Sequence, residues 1–236
     1  MGGEKVKKTI LTILALAAVV MSYGSQKAEA SVTATLTADN HYGLYYGALD
    51  GTGLTFIGRN EVGTPGSTPG TLNWEEPESY IFDAPGGNYL YLLAWDDEQQ
   101  QMIIGDFILP DASVIHTNSV DWLYYVSTNP NPGPSGAVPS LGTVAADISG
   151  ATWSIPGADA NALSTWGSIS GIDPSANFIW HDTFDINSSS DGNYVIFRSA
   201  NPIPDVPAAS PVPEPASMIL FGVGSGLLGF IRNKKK

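Results

Sequence analysis

The chain reads as an all-β protein whose main body is an antiparallel β-sandwich. Short runs alternate apolar and β-branched or polar residues with a period of two. Asp, Asn, Gly and Pro clusters separate these runs at intervals typical of sandwich turns. Between Ser31 and Asn201 no amphipathic helix of convincing length is expected.

Taken in order, Val32, Ala34, Leu36 and Ala38 interleave with Thr33, Thr35 and Thr37 to give the first strand. Asp39-Asn40 turns the chain into a second strand, His41 to Gly47, and Asp50-Gly51 leads to a third, Leu54 to Gly58. Residues 63–71, rich in Gly, Thr and Pro, form an exposed loop, because proline removes the donors a central strand needs. Ser79 to Asp83 is the next strand, and Pro85-Gly86-Gly87-Asn88 is a turn. Tyr89 to Trp95 is apolar on both alternating sets, which marks a strand covered on both faces near the centre of a sheet. Met102 to Leu109 and Trp122 to Ser127 follow as strands, and residues 129–142 read as a long loop. The stretch 155–175 fits neither period, and Phe178 to Ile186 with Tyr194 to Arg198 suggests a hairpin across Ser190-Asp191-Gly192-Asn193.

The two ends have a different character. Lys5, Lys7 and Lys8 precede an apolar run from Thr9 to Ser22, and Ala28-Glu29-Ala30 is a small-x-small cleavage site. Residues 1–30 are therefore expected to be a signal peptide, with Ala28 and Ala30 at the cut and the mature chain starting at Ser31. Residues 31–200 form the sandwich domain, and residues 201–212, with four prolines, form an extended linker.

Residues 213–236 begin Pro213-Glu214-Pro215, continue through an uncharged stretch from Met218 to Ile231, and end Arg232-Asn233-Lys234-Lys235-Lys236. At about 1.5 Å per residue the uncharged stretch makes a helix of roughly 21 Å, short of the ~30 Å hydrocarbon core. The terminal basic residues favour the cytoplasmic side, with the domain outside. The triplet, short apolar helix and basic terminus in that order resemble the PEP-CTERM sorting signal of Gram-negative bacteria that make extracellular polysaccharide. The resemblance implies an exosortase-type processing enzyme acting at Pro213, Glu214 and Pro215. It also implies an exported protein that reaches the cell surface or the extracellular matrix. The C-terminal sorting helix would anchor it in the inner membrane only before processing, with the C-terminus cytoplasmic.

Charge is unevenly placed. Eight of the ten Lys and Arg lie in the two end segments, so residues 31–213 keep only Arg59 and Arg198 against 20 acidic residues, a formal charge of −18. Such a domain repels nucleic acid and anionic membranes and suits cations, neutral sugars or cationic partners. The same charge also serves solubility alone. The chain has no cysteine, so its stability comes from packing without disulfides.

A second resemblance covers much of the domain. Thr37-Ala38-Asp39-Asn40-His41-Tyr42-Gly43-Leu44-Tyr45 looks like the opening of galactose-binding-like jelly rolls. Trp74 to Pro77, Gly87 to Ala94 and Ala176 to Trp180 are similar to later pieces of that pattern, although Gly47 to Gly53 is longer than the family's usual turn. The resemblance implies a jelly-roll-like sandwich that binds carbohydrate through loops at one end, often with a structural calcium.

No catalytic constellation stands out. His41, His116 and His181 are far apart in sequence, with no H-E-x-x-H spacing, no G-x-S-x-G elbow and no phosphate loop. The chain is therefore read as non-catalytic. Carboxylate pairs such as Asp96-Asp97 leave a secreted glycoside hydrolase as an alternative, and a purely structural matrix component as another. Asp39, Asn40 and Tyr42 at the first strand junction, with Trp95, Asp96 and Asp97 after the central strand, form the candidate sugar site. There Tyr42 or Trp95 would stack on a ring while the acids and amide meet hydroxyls. The competing view makes the two rings core residues and the acids turn formers. Asp39, Asp96 and Asp97 supply hard oxygen ligands of the kind Ca2+ prefers, so Ca2+ is the metal candidate weighed for them against an ordinary turn role; no other cofactor is indicated. Among the six tryptophans, Trp74 and Trp166 are the expected exposed ones. The expected partners are the processing enzyme and an exopolysaccharide or other surface glycan.

Overall fold

The computed structural model describes residues 31–60, 74–96, 101–133, 137–161, 166–181 and 192–205. All of them lie in one compact unit, Ala30–Val206. The signal peptide, the 63–71 loop, most of the linker and the sorting segment lie outside the described residues.

Two antiparallel sheets pack face to face. The strands are β1 (Ser31–Asp39), β2 (His41–Gly47), β3 (Thr55–Arg59), β4 (Glu78–Asp83), β5 (Tyr89–Trp95), β6 (Met102–Ile108), β7 (Val114–His116), β8 (Trp122–Pro130), β9 (Gly157–Ala160), β10 (Asn177–Trp180) and β11 (Asn193–Ser199), with one helix, α1 (Leu141–Gly150), after β8. The first sheet runs β4-β1-β6-β10-β9, with β7 also paired to β6; the second runs β3-β2-β5-β11-β8.

The alternation in β1 has its expected result. Val32, Ala34, Leu36 and Ala38 enter the central core, where they meet Tyr42, Leu44, Leu90, Leu92, Ala94, Ile103, Phe107, Val195 and Phe197. Leu36 lies opposite Gly105 across the β1–β6 ladder. A Cβ at Gly105 would fall 2.6 Å from Leu36 Cβ and 2.8 Å from the Thr35 carbonyl, so only glycine lets these strands pair this closely.

β5 is the middle strand of its sheet and is covered on both faces, as its uniformly apolar sequence predicts. One face enters the central core. The other carries Tyr91, Leu93 and Trp95, which pack with Tyr45, Tyr194 and Ile196 under Val144 and Ile148 of α1. A third cluster forms on the first sheet, where Met102, Ile104 and Phe178 meet Trp166, Ile169, Ile172 and Ala176.

The helix corrects the reading of residues 129–142 as loop: β8 runs to Pro130 and α1 begins at Leu141. Ser140 caps it, its Oγ accepting from the Thr143 N–H at 3.2 Å. Asp147, one position before Ile148, is also buried and ties the helix to the sheet. Its carboxylate accepts from Ser127 Oγ at 2.8 Å, Asn129 Nδ2 at 3.0 Å and the Tyr194 hydroxyl. The Tyr194 phenol is pushed up to about 12, first by burial and then by this carboxylate. The Gly47–Gly53 excursion supports the same helix. Gly51 has φ +79°, and a Cβ there would come within 2.9 Å of the Ala145 carbonyl.

The hairpin expected from Phe178 and Tyr194 is not formed. β10 pairs with β6 and β9 in one sheet, while β11 pairs with β5 and β8 in the other. Apolar residues on both faces of each strand suit interior positions, and a turn signal between two strands fixes a bend without fixing the partner. Within the stretch that fitted neither period, the chain forms β9 and the Trp166–Ile172 cover of the third cluster.

Candidate functional site

The β1–β2 junction and the end of β5 meet as expected, because His41 pairs with Trp95 and Tyr42 with Ala94 across the ladder. Their side chains, however, are consumed by the fold. Tyr42 is fully buried, and its hydroxyl donates to Glu78 Oε2 at 2.9 Å and lies 3.1 Å from the Tyr80 hydroxyl. Burial drives this phenol far above its usual range. Trp95 is also fully buried: its Nε1 donates to the Gly133 carbonyl at 3.2 Å, and His41 stacks on it at 4.7 Å. The Arg59 guanidinium sits 5.3 Å from the same ring. Both aromatics are core residues and offer no ring face to a sugar.

The polar members brace neighbouring segments. Asn40 Nδ2 donates to Asp39 Oδ1 at 2.7 Å, and the Asn40 carbonyl accepts from Asn60 Nδ2 at 2.6 Å. Asp96 is buried, with Oδ2 accepting from Gln101 Nε2 at 3.3 Å and its carbonyl from Asn131 Nδ2 at 2.7 Å. Asp97 lies outside the described residues. Among the described residues no three His, Asp or Glu side chains group as metal ligands.

Asp39 leads to a different site. Its Oδ2 accepts from the Trp166 indole N–H at 2.9 Å. This bond, with Phe178 tilted against the ring at 5.3 Å, buries Trp166, which the sequence reading had placed at the surface. Trp166 still lines a cleft of about 250 Å3, together with Trp74, Glu75, Ser168, Ile169 and Ser170. Trp74 is half-buried, whereas Glu75, Ser168 and Ser170 are exposed.

Among the described residues the cleft brings together two tryptophans, the buried Ile169, one acid and two serines. Its volume lies just below the roughly 300–1,000 Å3 that encloses a drug-sized ligand, so it suits a single ring-sized group. Aromatic faces meet the C–H side of such a ring, while the acid and hydroxyls meet its polar rim. The sequence singles out Trp74, beside Glu75, and Trp166 as exposed rings, but does not join them or point to Ser168, Ile169 and Ser170. The alternation Ser168-Ile169-Ser170 was the available signal: the serines are exposed and the isoleucine is buried between them.

The processing residues Ala28, Ala30, Pro213, Glu214 and Pro215 lie outside the described residues. Among the described residues no helix is long and apolar enough to cross a membrane.

The fold and the C-terminal motif together define an exported β-sandwich protein with a sorting tail. The family model for the PEP-CTERM protein-sorting motif matches residues 211–236, so the chain carries the signal for export and exosortase processing at the membrane. No curated protein and no solved structure matches the chain, and the jelly-roll resemblance of the domain gains no support from that quarter.

Proposed function

We propose that the exported domain binds a sugar residue of an exopolysaccharide or other surface glycan, without catalysis, through the Trp74–Trp166 cleft. The observation that carries this reading is the joining of two indoles, a carboxylate and two hydroxyls around one ring-sized space. Glycoside hydrolysis needs two carboxyl groups flanking the bond, roughly 5–5.5 Å apart for retention or 6.5–9.5 Å for inversion. Among the described residues Glu75 is the one acid in the lining, which favours binding over cleavage. Sorting to the cell surface or matrix would bring the cleft to its ligand.

The test is a titration of full-chain protein in detergent against a panel of neutral oligosaccharides, beside a Trp74→Ala variant. The expected result is saturable binding that falls at least about tenfold in the variant, in line with the loss of an aromatic contact. Release of reducing ends from the same panel would replace the reading with hydrolysis. No binding by the wild type would leave the purely structural matrix component.

A further inference from the structure

Arg198 occupies an unusual setting for one of the two cations in residues 31–213. It projects from β11 on the face of the second sheet that carries Tyr194 and Ile196, and it pairs across the ladder with Tyr91. Its guanidinium carbon lies 4.5 Å from the Trp153 ring centroid and 5.0 Å from that of Tyr89. Trp153 is held in place by the two-way backbone bridge between Ser154 and Tyr124, at 2.8 and 2.9 Å, and it also meets Tyr91 and Tyr125.

The residue is only 8% exposed, and its Nε is buried without a hydrogen-bond partner. Among the described residues no carboxylate pairs with it, although the domain is crowded with acids. Buried charges are normally paired, because desolvation costs more than an aromatic face returns. The planar guanidinium fork matches a carboxylate in two parallel hydrogen bonds, and the Trp153 and Tyr89 rings that flank it hold its plane in place.

We infer that Arg198, Trp153 and Tyr89 form a second site, on the sheet opposite the cleft, that takes one carboxylate-bearing sugar within an otherwise neutral chain. The choice of a sugar as carrier rests on the proposed glycan function; the carboxylate rests on Arg198 alone. A polymer with an acid on every unit is disfavoured, because the domain's net negative charge repels it.

The experiment compares a neutral trisaccharide with the same trisaccharide oxidised to a hexuronate at one end, titrated into full-chain protein in detergent. The acidic form should bind at least about tenfold more tightly, as expected for hydrogen bonds to a charged acceptor. Arg198→Met, which keeps an apolar stem between the rings, should erase that preference, and Trp153→Phe should weaken binding of the acidic form while preserving the fold. Trp74→Ala should lower neutral binding and leave the acidic preference intact, so the two sites fail separately. Equal affinity for both trisaccharides, or a preference that survives in folded Arg198→Met, overturns the inference. If Arg198→Met does not fold, an unchanged affinity in Trp153→Phe overturns it. Acetate that displaces the acidic trisaccharide at equal concentration also overturns it, since the sugar would then not be read.

Discussion

The Trp166 indole N–H meets Asp39 Oδ2 at 2.9 Å, across a sequence separation of 127 residues. One end of that bond is the β1–β2 junction, and the other is the wall of the cleft. Asp39 thus holds one ring of the cleft wall in place.

Asp39→Ala should lower stability by roughly 1.5–3 kcal/mol, because it removes a charged acceptor from a buried donor. It should also weaken sugar binding without touching the ligand. Asp39→Asn, which keeps an acceptor oxygen, should recover part of both losses. Thermal melts and sugar titrations of the two variants, run side by side, check this. Full sugar affinity in folded Asp39→Ala would show that Trp166 needs no anchor.

Asp147 is expected to be the polar key of α1. With its carboxylate removed, Ser127, Asn129 and Tyr194 lose a common acceptor, so Asp147→Ala should cost roughly 2–4 kcal/mol. Tyr194→Phe, which deletes one donor and keeps the ring, should cost only about 1 kcal/mol. Urea unfolding of both variants gives the comparison, and equal losses would contradict the shared-acceptor account.

Stability should carry a specific pH signature from Glu78. Burial holds its carboxyl above the usual carboxylate range, although the Tyr42 hydroxyl donates to it. The folded state therefore binds the proton more tightly than the unfolded chain. The Glu78 contribution is fully present below the unfolded pKa and is lost as pH rises through the folded one. Exposed turn acids such as Asp50, Asp111 and Asp173 are shifted down by hydrogen bonds and act in the opposite sense, losing their contribution as pH falls. Glu78→Gln isolates the difference: its melting temperature, relative to wild type, should rise between pH 4 and pH 7. A constant difference across that range would remove Glu78 as the source.

Processing is checked by intact mass. Protein recovered from the exterior of the producing cell should begin near Ser31 and lack the apolar segment after Ala216. Retention of Met218 to Lys236 in all such material would mean that the tail remains as an anchor.

Much of the sandwich was legible because local pattern and burial coincide. β1 alternates because one face meets the core, and β5 does not alternate because both faces are covered. α1 escaped notice because its buried apolar residues are only Val144 and Ile148, too few for a helical period to emerge beside a proline- and glycine-rich stretch. The partners of β10 and β11 were hidden for another reason: pairing is a choice among distant strands, and nothing within either strand names them. The same limit applies to the site. Trp74 beside Glu75 could be noticed locally, whereas the burial of Trp166 depends on an acid 127 residues earlier in the chain. Tyr42 and Trp95 looked suited to a sugar for the same properties that suit them to a core, namely a large apolar ring with one polar atom to satisfy.

The two outermost strands in sequence are both interior strands in space. β1 lies between β4 and β6, and β11 lies between β5 and β8. A chain threaded outward from its N-terminus would therefore deliver β1 well before either of its neighbours. It would deliver β11, the strand joining β8 to the rest of its sheet, last. The second sheet can close only when the residues just ahead of the linker have emerged, so completion of the fold and arrival of the sorting tail are nearly the same event. A cut upstream of Ser199 would remove an internal strand and divide the sheet, which places any workable release point beyond it.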